Sequence, residues 1–369
     1  MAPLTIRGAV FRGPNRPVSI ESLCLDDPGP GEVRVRMLAS GVCHSDLHVV
    51  DGEWARPTDV VMGHEGAAIV EAVGEGTTGF DLGDLVVLAW TAPCGACPAC
   101  RRDEAWLCSS PLGAGHRLAP ELVRLHRDDG SPIGVYGGIG TFGEAQVVAA
   151  EAAIAIDPRT PPAIAALIGC AVTTGVGAVF NTARVCADES VVVIGAGGVG
   201  LSVIMAAAVV GASPRIVVDA AADKADLARR AGATTFVAPA EAGAAVRTAT
   251  GEGADHVFEA IGLTQTVELA VELTRPGGTT TLVGMTPEAD RARLDVYRFV
   301  EDGKRLLGSN YGSSVPAIEF PRIAGLYLDG RLPLDLLVTE QIDLDGLEAA
   351  FESMRRRDGA RRVVVYPLA

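Results

Sequence analysis

The chain has 369 residues, of which 48% are hydrophobic and 21% are charged. Its 31 Lys and Arg residues against 46 Asp and Glu residues give a formal net charge of −15. A surface this acidic repels nucleic-acid phosphates and anionic lipid headgroups, so we expect neither nucleic acid nor a membrane as a partner. The length exceeds one ordinary hydrophobic core and predicts two domains.

Two features of the sequence bear on the compartment. Residues 1–10 do not show the charged and then apolar pattern of a secretory leader, and eight cysteines in such a chain favour metal binding over disulfides. Residues 190–214 carry no charge over a length that could span a bilayer, but four glycines within 195–200 interrupt them. A buried strand, a tight turn and a buried helix explain this stretch better. We therefore expect a soluble, cytoplasmic protein.

The first 150 residues predict short β-strands separated by frequent turns. Residues 32–38 alternate apolar and polar side chains, as a half-buried strand does. Residues 67–73 and 84–88 show a similar pattern and are separated by Gly-rich turns. This part of the chain therefore predicts a β-rich domain.

After Pro162 the sequence alternates between predicted strands and predicted helices. The strands are predicted at 190–194, 215–219, 234–237, 255–258, 279–283 and 305–309, with helices at 201–210, 223–231, 241–250 and 265–273. Six strands alternating with helices predict an α/β fold with a doubly wound parallel sheet. The tail from residue 313 returns to mixed strands and helices, so we expect it to rejoin the first domain. The predicted segments are 1–172, 173–312 and 313–369.

The first strand of this alternating region leads directly into a glycine-rich turn that fits the pattern G-x-G-x-x-G. The turn consists of Gly195, Ala196, Gly197, Gly198, Val199 and Gly200. Its glycines permit a tight turn, a close approach to pyrophosphate and close packing of helix on strand, and the helix N-terminus attracts phosphate. Asp219 ends the next strand 19 residues later, where a carboxylate would bind ribose hydroxyls and repel a 2′-phosphate. The pattern predicts NAD rather than NADP, although Asp219 could also be a strand-ending Asp in a solvated turn.

Four cysteines lie within fifteen residues of one another, at Cys94, Cys97, Cys100 and Cys108. This spacing is typical of a closed tetrahedral Zn²⁺ site, which would hold together a lobe at 91–110. An iron–sulfur cluster and free thiols are the alternatives. A nucleic-acid-binding zinc finger is excluded because no basic helix follows the cysteines. Since four sulfurs would fill every position on the metal, the predicted zinc is structural.

A second set of metal-binding residue types is dispersed along the chain, at Cys43, His64 and Cys170. Their spacing alone does not join them. Each Cys could be a small buried hydrophobic residue, and the histidine could be an ordinary hydrogen-bonded core residue.

Several motifs together resemble those of the zinc-containing medium-chain alcohol dehydrogenases. These are the CHSDLH stretch at 43–48, the GHEG stretch at 63–66, the four-cysteine lobe and the glycine turn, in that order. The resemblance covers nearly the whole chain, and the long segment 112–140 is similar to the liver and formaldehyde-dehydrogenase-type branch. It implies a GroES-like β-rich catalytic domain at 1–172 and 313–369, with a Rossmann NAD-binding domain at 173–312.

The resemblance also joins the dispersed residues into one site. It implies a catalytic zinc held by Cys43, His64 and Cys170, with a fourth coordination position open to substrate. Glu65 is counted with this metal site and would lie behind the ion, and Asp46 would orient the His64 ring. With the four-cysteine lobe, the expected content is two zinc ions per chain.

The mechanism implied is reversible hydride transfer between an alcohol and NAD. Zinc lowers the pKa of bound water from ~15.7 to about 7, and a comparable effect would make alkoxide accessible. By resemblance the proton passes through Ser45 and the nicotinamide ribose to His48, whose residue type exchanges protons near neutral pH. A solvated surface histidine is the alternative for His48.

Further cofactor contacts carry over by resemblance. These are Lys224 to the adenosine ribose, Thr174 beside the nicotinamide, Val283 at the carboxamide and Arg362 at the pyrophosphate, with Arg361 as an alternative register. Many relatives carry Arg after the first zinc-binding Cys, where this chain has His44. Because histidine binds pyrophosphate through charge only when protonated, we expect weaker or pH-dependent NAD binding.

The substrate and assembly are less constrained. Four residues are expected to line the substrate pocket or simply to pack in the core: Trp54, Trp90, Tyr136 and Met285. One alternative is a formaldehyde dehydrogenase acting on a thiol adduct, with Arg117 or Arg124 binding its carboxylates. Others are an enzyme with permanently bound NAD and a non-catalytic NAD-binding protein. By analogy we expect a homodimer paired near 305–309.

Overall fold

The computed structural model describes residues 4–109, 123–356, 359 and 361–367. The chain divides into two compact units. The first comprises Met1–Cys170, Val315–Leu328 and Val338–Ala369, and the second comprises Ala171–Ser314 and Asp329–Leu337. The predicted boundaries at 172 and 312 compare with 170 and 314 here, and residues 329–337, expected in the first domain, lie in the second unit.

The regular elements follow in chain order. The strands are β1 (Leu4–Phe11), β2 (Ser19–Leu25), β3 (Glu32–Gly41), β4 (Val60–Val61), β5 (Gly66–Val73), β6 (Leu85–Leu88), β7 (Leu125–His126), β8 (Pro132–Val135), β9 (Ala145–Ala149), β10 (Ala153–Ala155), β11 (Val191–Ile194), β12 (Arg215–Val218), β13 (Thr235–Val237), β14 (Ala254–Glu259), β15 (Thr274–Leu282), β16 (Arg305–Gly308), β17 (Val338–Ile342) and β18 (Arg361–Val365). The helices are α1 (His44–Val50), α2 (Pro162–Leu167), α3 (Thr173–Gly177), α4 (Gly198–Val209), α5 (Ala225–Arg230), α6 (Ala242–Thr250), α7 (Thr264–Leu273), α8 (Val296–Glu301), α9 (Pro316–Leu328) and α10 (Leu347–Arg355).

The first unit is β-rich, as the sequence predicts. Strands β1, β2, β7, β8 and β4 close a barrel, and a second sheet has the order β10-β6-β5-β3-β18-β17, with β9 also paired to β3. On β3 the apolar side chains of Val33, Val35 and Met37 are buried while the two intervening arginines are half-buried. The predicted alternation therefore sets which face of β3 packs into the core.

The second unit is a six-stranded sheet in the order β13-β12-β11-β14-β15-β16, with every pair parallel. The strand order reverses between β11 and β14, so this is the doubly wound arrangement that binds ligands beyond the carboxyl ends of its strands. Strand β11 is apolar and fully buried, as expected for a parallel strand covered on both faces.

The strand predicted at 279–283 is present but begins earlier than predicted. Strand β15 begins at Thr274, directly after α7, and includes the Pro-Gly-Gly segment at 276–278. Its register against β14 shifts there, between the pairs at Ala254 and His256. A bulge tolerates Pro276, which cannot donate a ladder hydrogen bond, and Gly277 has a φ of 70°, which glycine adopts without strain.

Among the described residues, Pro162–Ala183 is long and apolar enough to cross a membrane, with a mean hydropathy of 2.1 over its most apolar window. That window is 89% buried inside the protein, which is the behaviour of a core helix. The helix is not uniform, because π-helical turns at Ile168–Val172 and Ala178–Ala183 interrupt its α-helical parts. Such π turns often lie at functional sites.

Candidate active site

Four residues from distant parts of the first unit converge on one point. The ligand atoms of Cys43, His64, Glu65 and Cys170 all lie within 4.8 Å of one another. Ligand atoms around a tetrahedral Zn²⁺ with bonds of about 2.0–2.3 Å lie about 3.3–3.8 Å apart, so this cluster is of the size that zinc requires. Two sulfurs and one imidazole nitrogen are also a donor set that zinc prefers.

Local backbone features bring each of these residues to the cluster. Cys43 is the N-cap of α1, just beyond the end of β3, and Cys170 lies in the π turn Ile168–Val172. A Cβ at Gly41 would overlap the Glu65 carboxylate. Glycine at this position therefore lets β3 pass directly beside that carboxylate.

The imidazole of His64 is oriented by Asp46. Nδ1 of His64 is hydrogen-bonded to Oδ1 of Asp46 at 3.0 Å. The other Asp46 oxygen accepts a hydrogen bond from the Cys43 amide at 3.2 Å. The Nε2 atom of His64 is buried and makes no hydrogen bond within the described part of the chain. A buried lone pair beside two thiols is the position of a metal ligand, so the residues present fit a bound zinc ion.

The charges of this cluster are buried. Glu65 is fully buried, which raises the pKa of its carboxyl to about 7, and its Oε2 atom is hydrogen-bonded to Nη2 of Arg361. A hydrogen bond from Cys170 holds the pKa of Cys43 well below its usual value, and the same bond raises the pKa of Cys170. A divalent cation would hold both as thiolates.

The four-cysteine lobe forms a second cluster. The sulfurs of Cys94, Cys97, Cys100 and Cys108 lie within 4.8 Å of one another. Backbone amides donate to these sulfurs: Cys97 to Cys94 at 3.3 Å, and Cys94 to Cys108 at 3.3 Å. Amide hydrogen bonds from Cys100 and Ser109 lower the pKa of Cys97 to about 6. The lobe is therefore shaped to bind a cation through four sulfurs.

Helix α1 carries the residues expected to move the proton. Its first residues, His44 and Ser45, are exposed and half-buried respectively, and His48 is half-buried near its last turn. The imidazole of His48 stacks on the Trp54 ring with centroids 4.5 Å apart. Its Nδ1 atom is hydrogen-bonded to the Glu53 carboxylate. The sequence did not single out Glu53, because no motif spacing identifies it.

The glycine turn of the second unit has the close contacts that its motif requires. Gly195 has a φ of 110°, and a Cβ at Gly200 would overlap the carbonyl oxygen of Gly195. A Cβ at Gly197, by contrast, would meet no heavy atom within 4 Å. The turn is therefore tight at its ends and open at Gly197, as expected where a pyrophosphate approaches the backbone.

Asp219 is fixed beside that turn. Its carboxylate accepts hydrogen bonds from the amides of Ala196 at 2.7 Å and Ala221 at 2.8 Å. The ammonium group of Lys224 lies 3.8 Å from the same carboxylate. The turn, the carboxylate and the lysine thus form one cluster at the carboxyl end of β12, and these residues fit the adenosine half of a dinucleotide.

The remaining predicted cofactor residues are placed as follows. Thr174 is half-buried in α3, and Val283 follows β15, its amide donating to the Glu259 carbonyl oxygen at 2.9 Å. Arg362 pairs with Glu340 at 2.8 Å, whereas its neighbour Arg361 is hydrogen-bonded to Glu65. Adjacent strand residues face opposite sides of a sheet, so only the register of β18 decides which arginine faces the cluster.

Aromatic side chains lie beside His64 and the other residues of its cluster. The Tyr136 ring meets the His64 ring edge-on, with centroids 5.7 Å apart. A Cβ at Gly137 would lie 3.2 Å from Cβ of Trp90 and 3.8 Å from Cβ of His64, so Trp90 is close as well. Trp54 is buried under His48. Met285 belongs to the second unit and is 56% exposed.

Comparison with known proteins identifies the domains. The family model for the alcohol dehydrogenase GroES-like domain matches residues 29–158, and that for zinc-binding dehydrogenase matches residues 198–326. An S-(hydroxymethyl)glutathione dehydrogenase of Escherichia coli is 34% identical over 98% of this chain and 99% of its own length. A solved alcohol dehydrogenase zinc-binding domain protein of Burkholderia ambifaria has a TM-score of 0.94 at 31% identity, covering 99% of this chain and 100% of that one. Benzyl alcohol dehydrogenase of Acinetobacter calcoaceticus has a TM-score of 0.91 at 28% identity, with the same coverage.

Zinc content distinguishes the two clusters. We expect about two zinc ions per chain, with Cys43→Ser and Cys97→Ser each losing about one, because each cluster supplies its own ligands. Cys97→Ser should also lower the melting temperature, since its zinc holds the lobe together. Elemental analysis and thermal unfolding measure these changes, with Cys186→Ser, an exposed cysteine outside both clusters, as the control. One zinc ion or none in the unaltered protein would contradict the assignment.

The two ends of the glycine turn should respond differently to alanine. Gly200→Ala should cost about 1–3 kcal/mol of unfolding free energy, because the added methyl group overlaps the Gly195 carbonyl. Gly197→Ala should leave the melting temperature unchanged and weaken NAD binding by about tenfold or more, because its methyl group occupies the space of the pyrophosphate. Gly325→Ala, whose Cβ also meets no atom, is the control. Equal NAD affinity in Gly197→Ala would contradict this placement.

Measuring the NAD affinity of the unaltered protein from pH 5.5 to 8 tests the pH dependence expected of His44. An affinity that does not change with pH would contradict that expectation.

Proposed function

Since the chain belongs to the zinc-binding alcohol dehydrogenase family, we propose that its substrates are apolar, ring-sized primary alcohols. Membership of this family makes it a zinc-dependent oxidoreductase that acts on alcohols and aldehydes with NAD. The observation that carries this proposal is the aromatic surface beside the zinc ligands. Tyr136 and Trp90 both lie next to His64. Burying an apolar ring against such side chains contributes about 2 kcal/mol or more of binding free energy.

We further propose roles for individual residues. Bound zinc would supply Lewis acidity that lowers the pKa of a coordinated hydroxyl group, and bound NAD would accept the hydride. Cys43, His64 and Cys170 would hold the ion, while Asp46 keeps the imidazole in place. Glu65 would lie behind the ion, because Arg361 holds one of its oxygens.

The cofactor roles are proposed in the same way. The glycine turn would receive the pyrophosphate, and Asp219 and Lys224 would bind the adenosine ribose. Thr174 and Val283 are proposed beside the nicotinamide, and Arg362 at the pyrophosphate, because Arg361 is buried against Glu65. Ser45 and His48, one turn apart on α1, would carry the alcohol proton to solvent. The complete set of zinc ligands disfavours a non-catalytic protein.

Oxidation of a thiol adduct of formaldehyde is the second candidate, since the Escherichia coli relative is an S-(hydroxymethyl)glutathione dehydrogenase. Such an adduct carries carboxylates and needs a cation near the pocket. Arg124 is paired with Glu32 at 2.8 Å, and Arg117 lies outside the described residues. Arg56, whose guanidinium carbon lies 5.7 Å from the centre of the Trp54 ring, is a cation near the site that the sequence did not single out.

A substrate panel separates the two candidates. We expect kcat/KM for benzyl alcohol to exceed that for ethanol by about tenfold or more, because the ring buries apolar surface that ethanol lacks. Formaldehyde with glutathione should be oxidised more slowly than benzyl alcohol. The measurement is NADH formation, with Arg56→Ala as a matched variant that should lose only the glutathione-dependent reaction. Faster, glutathione-dependent oxidation of formaldehyde would favour the second candidate.

A separate experiment tests whether NAD is permanently bound. Acid precipitation of the purified protein releases any NAD that copurifies with it, and the NAD is then assayed in the supernatant.

The surface of the second unit favours a homodimer, which we propose as the assembly. Strand β16 is the outermost strand of its sheet, and α8 next to it in sequence exposes three apolar residues. These are Val296, Tyr297 and Val300, which are 64%, 73% and 71% exposed. An open strand edge with adjacent apolar side chains favours pairing with a second copy of the chain. We also propose a cytoplasmic location, where thiols remain reduced for zinc.

Light scattering after size-exclusion chromatography tests the dimer. Val300→Asp should convert a dimer to a monomer, because a carboxylate buried at an interface is strongly disfavoured. Leu82→Asp places the same charge on an equally exposed leucine of the first unit and should remain dimeric. A monomeric unaltered protein, or a dimer that survives Val300→Asp, would contradict this surface.

A further inference from the structure

A short segment after α1 folds back on its own histidine. The backbone amides of Glu53 and Trp54 both donate to the carbonyl oxygen of His48, at 2.8 and 3.2 Å. The turn that results brings the Glu53 carboxylate to Nδ1 of the His48 ring. The same turn stacks the Trp54 ring on the imidazole at an interplanar angle of 26°. Trp54 is only 5% exposed, so the ring that supports the imidazole is itself held by the core.

The hydrogen bond decides which nitrogen of His48 carries the proton. An ionised carboxylate only accepts hydrogen bonds, so Nδ1 must be the donor to Glu53. A neutral imidazole has one N–H donor and one acceptor nitrogen, which leaves the lone pair on Nε2. We propose that Glu53 is a positioning residue that fixes His48 in the tautomer whose Nε2 atom can accept the alcohol proton. This inference rests on the proposed role of His48 in proton transfer.

The proton balance of this step is simple. Nε2 of His48 takes up the proton, and the ring becomes an imidazolium that donates from both nitrogens. The Glu53 carboxylate, which keeps its own charge, faces this new positive charge and stabilises it. The proton then leaves Nε2 for water, and the ring returns to its starting tautomer. The His48 and Glu53 side chains are 21% and 43% exposed, so water has access to the pair.

Glu53 is the carboxylate that acts on His48, judged from the charged groups around it. Asp51, between the two in sequence, is bonded to Arg355 of α10 at 2.6 Å. Arg355 also pairs with Glu352 and lies 3.8 Å from Glu348. Two further groups near the pair carry no negative charge. They are His44, with ring centroids 6.5 Å from His48, and Arg56 over the Trp54 ring.

The experiment reads the tautomer directly. Nitrogen-15 NMR of histidine-labelled holoenzyme distinguishes the two neutral tautomers, and His48→Gln assigns the His48 signals. The unaltered protein should show His48 protonated on Nδ1. Glu53→Gln should lose this preference, because an amide side chain can donate a hydrogen bond to Nδ1 as well as accept one. In Glu53→Gln, kcat for alcohol oxidation should fall about tenfold, with zinc content and NAD affinity unchanged. This is less than the ~10²–10⁴-fold effect of removing an acid–base group, because His48 itself remains. The control is Glu75→Gln, an exposed glutamate in the turn after β5.

The outcomes separate this inference from the proposed function. A neutral His48 ring protonated on Nε2 in the unaltered protein would overturn the inference. If His48→Gln slows the enzyme, an unchanged tautomer or an unchanged kcat in Glu53→Gln would overturn it as well. If Glu53→Gln shifts the tautomer but His48→Gln leaves the pH–rate profile and kcat unaltered, the relay through His48 is wrong. Glu53 would then still control the tautomer of a histidine without a catalytic role.

Discussion

The first unit is organised around a cluster of buried charges that a divalent cation would balance. Cys43, Glu65 and Asp46 are all buried, and among the described residues Arg361 is the buried guanidinium that faces them. Placing several acidic groups in a low-dielectric interior is unfavourable unless opposite charge is present. Burial raises the pKa values of the Asp46 and Glu65 carboxyl groups, because a low-dielectric interior disfavours their charged forms. A zinc ion bound by two sulfurs and a nitrogen would supply the missing charge.

Close backbone approaches allow this cluster to form. Gly63 has a φ of 91°, and a Cβ there would lie 2.6 Å from the amide nitrogen of Phe142. A Cβ at Gly66 would lie 2.6 Å from the Cε atom of Met37, so the residues on either side of His64 and Glu65 are both packed against neighbours. On the other side, Gly169 precedes Cys170, and a Cβ there would lie 3.1 Å from the carbonyl oxygen of Leu88. Glycines next to His64, Glu65 and Cys170 therefore allow the close backbone packing that brings these three side chains together.

Local patterns in the sequence were sufficient for part of this structure. The period-two alternation of β3 and the buried strand, glycine turn and helix from β11 to α4 were all predicted, because each depends on neighbouring residues only. The four-cysteine cluster was also predicted from spacing. Periodicity could not join Cys43, His64 and Cys170, which are brought together by contacts between distant segments, and only resemblance to a family suggested them. The early start of β15 was not predicted for a similar reason, since a bulge depends on the partner strand.

The two arginines at the start of β18 show how a single register governs the electrostatics of the site. Arg361 and Arg362 are chemically identical, and adjacent strand positions face opposite sides, so one must point toward the buried carboxylate and the other away. Pairing of β18 with β3 and β17 places Arg361 on Glu65 and Arg362 on Glu340. A shift of one residue would put a sequence neighbour of Arg361 against Glu65, so the register of β18 decides which side chain faces that carboxylate. Residues contributed by the last strand of the chain thus complete a site whose first ligand follows β3, and the return of the chain to its first unit is part of the chemistry as well as of the fold.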